Sequence, residues 1–225
     1  MTDTSTVGTG SLRNLGRIYF QRRYTILFYT LLFTMVASPV MTALGMSGVV
    51  IESLLAACLL AAVMPVNSGK NRGLLLAIMT MAWLARPVTA WFGHDILSAI
   101  TLGAWTLIGL FAAAAALRFA MRGAKVDAEH LFAALSAYLL AGIYFGLLYW
   151  ALEQIRSGMF SGSNFSRSAA IYFSFVTLAT LGYGDFVPRT DVARGLAVVE
   201  GVGGQLFLAV LVARLVSLHS KPSGD

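Results

Sequence analysis

The chain is poor in charge. Of 225 residues only 12% are Asp, Glu, Lys or Arg, against 58% hydrophobic, and mean hydropathy is +0.76. A soluble domain carries about twice that share of charge. Too little polar surface remains to coat a water-soluble globule, which excludes an ordinary cytosolic enzyme and, more firmly, a disordered chain. Cysteine is nearly missing. The single Cys58, inside the apolar run ESLLAACLLAAVM, excludes a disulfide scaffold and says nothing of redox compartment. The 22 glycines and 5 prolines follow no period, so the chain is not collagenous. The 3 histidines, His94, His130 and His219, fall at segment ends without metal-ligand spacing. The Ser-rich stretch SGMFSGSNFS lies in a loop, not on a helix facing a base, as an intramembrane serine protease would need. We expect no enzyme, no cofactor and no small-molecule substrate.

What the chain has is long apolar runs. A membrane-crossing helix needs about 20 such residues, and six segments qualify: Tyr24 to Leu44, Gly48 to Val66, Gly73 to Phe92, Ile96 to Leu117, Ala128 to Leu152 and Val192 to Leu218. The net charge of +6 does not imply a nucleic-acid partner, because the basic residues form no continuous surface. They cluster between the runs: Arg13, Arg17, Arg22 and Arg23; Lys70 and Arg72; Arg118, Arg122 and Lys125; Arg214 and Lys221. These groups hold eleven of the sixteen Lys and Arg, while the loops MTALGMSG and GHD hold none. By the positive-inside rule both termini are expected to be cytoplasmic, in a multi-pass protein of the plasma membrane. Residues 1–12, rich in Thr, Ser and Gly, read as a disordered tail. The first apolar run is too long for a secretory signal core.

The connection after the fifth run, beginning at Glu153, is expected outside although it carries Arg156, Arg167 and Arg189. It contains a further apolar stretch, Ala169 to Leu181. That is too short to span and too apolar for a water-facing loop, so it reads as re-entrant. The stretch runs into Thr177-Leu178-Ala179-Thr180-Leu181-Gly182-Tyr183-Gly184-Asp185. Two glycines around a tyrosine permit backbone conformations closed to other residues, so that successive carbonyls can point one way. Thr180 would add its hydroxyl, and Tyr183 is expected to pack against the short helix.

This segment resembles the potassium-channel signature T-x-x-T-x-G-Y-G-D at every motif position, and the resemblance extends over about Ala128 to Leu218. It implies an outer helix, a pore helix, a selectivity filter and an inner helix. Carried over residue by residue, the ion-binding filter is Thr180, Leu181, Gly182, Tyr183 and Gly184, with potassium held by the carbonyls of the first four. Leu181 stands where the family often has valine or isoleucine, a small departure because its carbonyl is what matters. Thr177 falls to filter support. Asp185 falls at the outer mouth, where a carboxylate can concentrate cations and can equally serve as a cap or a partner for Arg189.

In the sixth run Gly201, Gly203 and Gly204 resemble the glycine hinge of the family's inner helices, with small-residue packing as the other reading. Glu200, an ionisable group at membrane depth, either faces the ion path or supports the filter from behind; support is favoured. Gln205 has the same two readings.

Four runs before a two-helix pore unit resemble the six-segment layout of voltage-gated potassium channels. The fourth run breaks the resemblance, because Ile96 to Leu117 carries no charge. Each charge crossing the field contributes roughly 2.3 kcal/mol per 100 mV, so weak or absent voltage gating is expected. Glu52 and Arg86 fall at comparable depth and are expected to pair. Seven residues follow Leu218, and no ligand-sensing domain is expected there.

The expected architecture is all-α: six transmembrane helices, a re-entrant pore helix and a filter loop. Residues 1–23 form a disordered or amphipathic cytoplasmic terminus, 24–125 a four-helix voltage-sensor-like domain, 126–218 the pore domain and 219–225 a short tail. One filter copy provides a quarter of a pore, so a homotetramer in the lipid bilayer is expected. The alternative is a non-conducting regulatory subunit of a potassium transport system.

Overall fold

A computed structural model describes residues 7–44, 80, 81, 83, 84, 95–122, 127–162 and 164–219. The second run, most of the third, Cys58, His94 and the Glu52–Arg86 pair lie outside the described residues. Among the described residues these elements follow in order: α1 (Val7–Ala43), α2 (Asp95–Ala120), α3 (Ala128–Ile155), β1 (Phe160–Ser161), α4 (Arg167–Leu178), β2 (Val187–Pro188) and α5 (Asp191–His219). Among the described residues three helices are long and apolar enough to cross a membrane: Leu97–Ala120, Ala128–Ile155 and Asp191–Ser217.

α1 corrects one expectation. Residues 7–12, read as a disordered tail, are helical and continuous with the first run. No proline interrupts this stretch, and propagation adds a bond for each residue fixed once a helix exists. The helix is broken locally at Arg22 (φ −120°, ψ 21°). Such a break frees the amide N–H groups of the next turn, as at any helix start. Glu129, in the first turn of α3, takes them up. Its carboxylate accepts from Tyr24 N (3.0 Å), Thr25 N (3.4 Å) and the Thr25 hydroxyl (2.5 Å). Beyond the break Tyr24, Leu27, Leu31 and Thr34 are buried at helical spacing, the stripe by which α1 joins the core with α3.

α2 and α3 form the main packed pair. The buried face of α2 is small: Ala99, Ala112, Ala113, Ala116 and Ala120 alternate with Leu102 and Trp105. Gly109 lies directly on the ring of Tyr144. Small residues allow close helix approach where lipid removes the usual hydrophobic drive. At the far end, Arg214 of α5 donates to the carbonyls of Ala120 (2.6 Å) and Arg122 (3.1 Å). It thereby caps the orphan acceptors of α2.

α3 starts at Asp127, whose carboxylate accepts from His130 N (3.0 Å) and contacts His130 Nδ1 (2.6 Å). The His130 hydrogen bonds hold the Asp127 carboxyl below the usual carboxylate range. At the other end Glu153 receives Gly158 N (2.6 Å), Met159 N (3.0 Å) and Phe160 N (3.2 Å). This turns the chain back onto the helix end. β1 and β2 then pair antiparallel, Phe160 opposite Pro188 and Ser161 opposite Val187. They close the base of the loop that carries α4. Beneath it Tyr149, Met159, Phe160, Ala170, Phe173 and Ala193 make a second, aromatic-rich core.

Candidate functional site

α4 begins with Ser166, whose hydroxyl accepts from Ala169 N (3.2 Å), an ordinary N-cap. It ends three residues earlier than the apolar stretch in the sequence, and the reason is its C-terminal turn. Thr180 N donates to Thr177 O (3.1 Å) and Leu181 N to Val176 O (2.9 Å). This is the paired pattern of a Schellman cap, with Thr180 in the left-handed region at φ 54°. Thr180 and Leu181 therefore belong to the extended segment, not to the helix.

From Thr180 onward the backbone alternates in hand. Thr180 (φ 54°), Gly182 (φ 60°) and Gly184 (φ 80°) have positive φ, whereas Leu181 and Tyr183 do not. In a regular strand successive carbonyls point to opposite sides. Reversing the hand at every second residue cancels that alternation, as in backbone nests that bind ions through consecutive groups. Glycine takes positive φ at little cost, which explains its place at two of the three positions. Thr180 holds the third through its helix-capping bonds. Its hydroxyl donates to Ala179 O (2.7 Å), leaving the oxygen lone pairs as acceptors.

Tyr183 stacks on Tyr172 of α4, the ring centroids 6.3 Å apart and the planes 4° from parallel. Even so, it is 66% exposed and Leu181 55% exposed in the single chain. Asp185 accepts from Phe186 N (3.1 Å) and lies close enough to the Tyr172 hydroxyl to act on it electrostatically. The described ion pairs are His130–Asp127 and Arg194–Asp191, so the Asp185–Arg189 pairing weighed above does not form. Below Thr180 an open cavity of about 440 Å³ is lined by Val198, Gly201, Val202, Gln205 and Leu206 of α5.

The glycines of α5 separate. A Cβ on Gly204 would stand 2.7 Å from Leu178 Cδ2, so this residue is where α5 meets the end of α4. Gly201 borders Thr177 at ordinary contact distance, and Gly203 has open space. The helix is continuous through all three. Gln205 donates to Leu178 O (3.2 Å), and the Thr177 hydroxyl to Phe173 O (2.9 Å). Glu200 is 1% exposed and is not among the residues that line the cavity below Thr180. It receives the Tyr149 hydroxyl at Oε2 (2.6 Å) and contacts Ser174 Oγ through Oε1.

Four residues around this site escaped the sequence reading. Ser174 and Tyr149, the partners of Glu200, are short or aromatic members of apolar runs and carry no signal of their own. Gly142 and Gly146 of α3 do carry one, the G-x-x-x-G spacing of close helix contact. A Cβ on Gly142 would meet the Phe175 ring at 2.5 Å, and one on Gly146 would meet Ile171 Cα at 2.5 Å. These two glycines seat α4 against α3.

Residues 134–221 match the ion channel family model. An inward rectifier potassium channel of Paramagnetospirillum magnetotacticum is 32% identical over 90 residues, 38% of this chain and 28% of that one. Two-pore potassium channel 4 of Arabidopsis thaliana is 48% identical over 48 residues (21% and 17%). The voltage-gated potassium channel protein Shal of Drosophila melanogaster is 40% identical over 62 residues (27% and 11%). The chain thus spans less than a third of the length of each of these relatives. No solved structure matches. A short capped helix that hands over to a TLGYGD segment of alternating backbone hand, set between two apolar helices, lies inside residues 134–221, the part of the chain that is similar to ion-channel and potassium-channel sequences.

Proposed function

We propose that the protein is a potassium-selective channel in which four copies surround one axis and potassium passes down its gradient without a cofactor. The carbonyls of Thr180, Leu181, Gly182 and Tyr183 and the Thr180 hydroxyl replace the ion's water shell. Gly184 lets the segment turn out to the mouth, and Asp185 faces the incoming cations. The observation that carries this reading is the alternation of hand at Thr180, Gly182 and Gly184.

Assembly as a homotetramer is supported by α5. Only 11% of its spanning window is buried within one chain, and Val198, Val202 and Leu206 stand exposed. An apolar face of that length needs either lipid or a second copy, and the unshielded filter segment beside it favours copies. We further propose six crossings, cytoplasmic termini and a plasma-membrane location. Opening has little voltage dependence, since α2 is uncharged from Ile96 to Leu117 and its Arg118 lies in the last turn.

Flux from reconstituted liposomes tests this. Potassium and rubidium should pass, sodium should be excluded, and barium should block. A purified particle without fourfold symmetry, or flux indifferent to the alkali cation, overturns the proposal in favour of a non-conducting subunit.

A further inference from the structure

The contacts of Glu200 pose a question of proton counting. Ser174 Oγ lies 2.7 Å from the Gly142 carbonyl and also contacts Glu200 Oε1. A hydroxyl has one proton and cannot donate fully to two acceptors. The Tyr149 hydroxyl spends its own proton on Glu200 Oε2. All three side chains are at most 1% exposed. Among the described residues no cationic group contacts the carboxyl, and Tyr138 of α3, a further ionisable group near it, is also an acid. An ionised carboxylate there would be buried without a counter-charge, the costliest state for a polar group at membrane depth.

One assignment uses all three contacts as hydrogen bonds and leaves no charge in the site. Tyr149 donates to Glu200 Oε2, Glu200 as the acid donates from Oε1 to Ser174 Oγ, and Ser174 donates to the Gly142 carbonyl. The resulting relay starts and ends on α3, passing through α5 and α4. It crosses α4 one turn before Leu178, the last helical residue ahead of Thr180.

Resting on the channel reading above, we propose that Glu200 is held as the neutral carboxylic acid and that Tyr149, Glu200 and Ser174 act as one directional hydrogen-bond relay that positions the pore helix and thereby sets the ion discrimination of the filter. None of the three touches the ion path, so they are positioning residues. A buried network with every member satisfied rigidifies its surroundings. Here those surroundings are the three helices that meet behind the filter.

The test uses the full chain in phosphatidylethanolamine–phosphatidylglycerol vesicles at neutral pH. Infrared difference spectroscopy against Glu200→Gln should show the C=O stretch of a protonated carboxylic acid in the unsubstituted protein; a carboxylate band instead overturns the proposal. This arm needs no conduction, so it stands apart from the channel reading, which fails by itself if the unsubstituted protein shows no potassium-selective flux. For discrimination, Glu200→Ala, Ser174→Ala and Tyr149→Phe should each lower the rubidium-over-sodium flux ratio by roughly tenfold, the scale of one lost buried hydrogen bond. Glu200→Gln, whose amide both donates and accepts, should restore what Glu200→Ala loses. Failure of that rescue in a protein that still assembles shows a charged carboxylate at work and sinks the relay.

Discussion

Replacing Gly146 by alanine adds one methyl group where α3 crosses α4. The added carbon would sit 2.5 Å from Ile171 Cα and 3.0 Å from Ile171 N, whereas carbon atoms rest at about 3.5–4.0 Å. The shortfall is about 1 Å, and the obstacle is backbone, so no rotamer change relieves it. α4 must move away as a unit, and its C-terminal turn carries Thr180. Overpacking of a well-fitted core costs about 1–3 kcal/mol. Gly103→Ala is the matched control, a helix glycine of α2 with no heavy atom within 4 Å of its would-be Cβ. Thermal unfolding of the detergent-solubilised protein, followed by size exclusion, should place Gly146→Ala well below Gly103→Ala. Alkali-cation flux should show weakened rubidium-over-sodium discrimination in the first variant only. If the two melt together and discriminate alike, α3 does not seat the pore helix through this contact.

Two further outcomes follow from the caps. Glu153→Ala strips the acceptor from Gly158 N, Met159 N and Phe160 N; a lower melting temperature, by about 1–3 kcal/mol of stability, and faster proteolysis after Arg156 are expected. For Asp127 the folded carboxyl titrates below its ordinary value because of the His130 hydrogen bonds. Its contribution is therefore complete above the ordinary carboxylate range and is lost as pH falls through the lowered folded value. Asp127→Asn should cost less than about 1 kcal/mol at neutral pH, as for exposed pairs, and the gap to the unsubstituted protein should close in strong acid when melting is measured against pH.

Much of this architecture was legible because lipid imposes strong rules on a chain. The runs 96–117, 128–152 and 192–218 correspond to α2, α3 and α5 with ends moved by at most three residues. The apolar stretch at 169–181 was recognised as too short to cross. Its true end was not legible, since Thr180 and Leu181 are as apolar or as neutral as the helix before them. What removes them from α4 is the left-handed turn at Thr180, a position where glycine is the usual occupant. The helix at residues 7–12 was missed for the opposite reason: small polar composition argues for disorder, while continuity with a long helix argues against it.

Glu200 shows the same division. Its depth could be counted along the sixth run, but its direction could not, because the partners that fix it sit 26 and 51 residues away on other helices. Composition and periodicity, which depend on each residue's own preference for lipid or water, determined the apolar helices, and the TLGYGD segment was legible through its resemblance to the potassium-channel signature. The tertiary structure alone decided which side chains meet: Gly146 on Ile171, Gly204 on Leu178, Ser174 and Tyr149 on Glu200. Such contacts depend on how helices cross in space, and the order of residues along one helix does not encode the face of another.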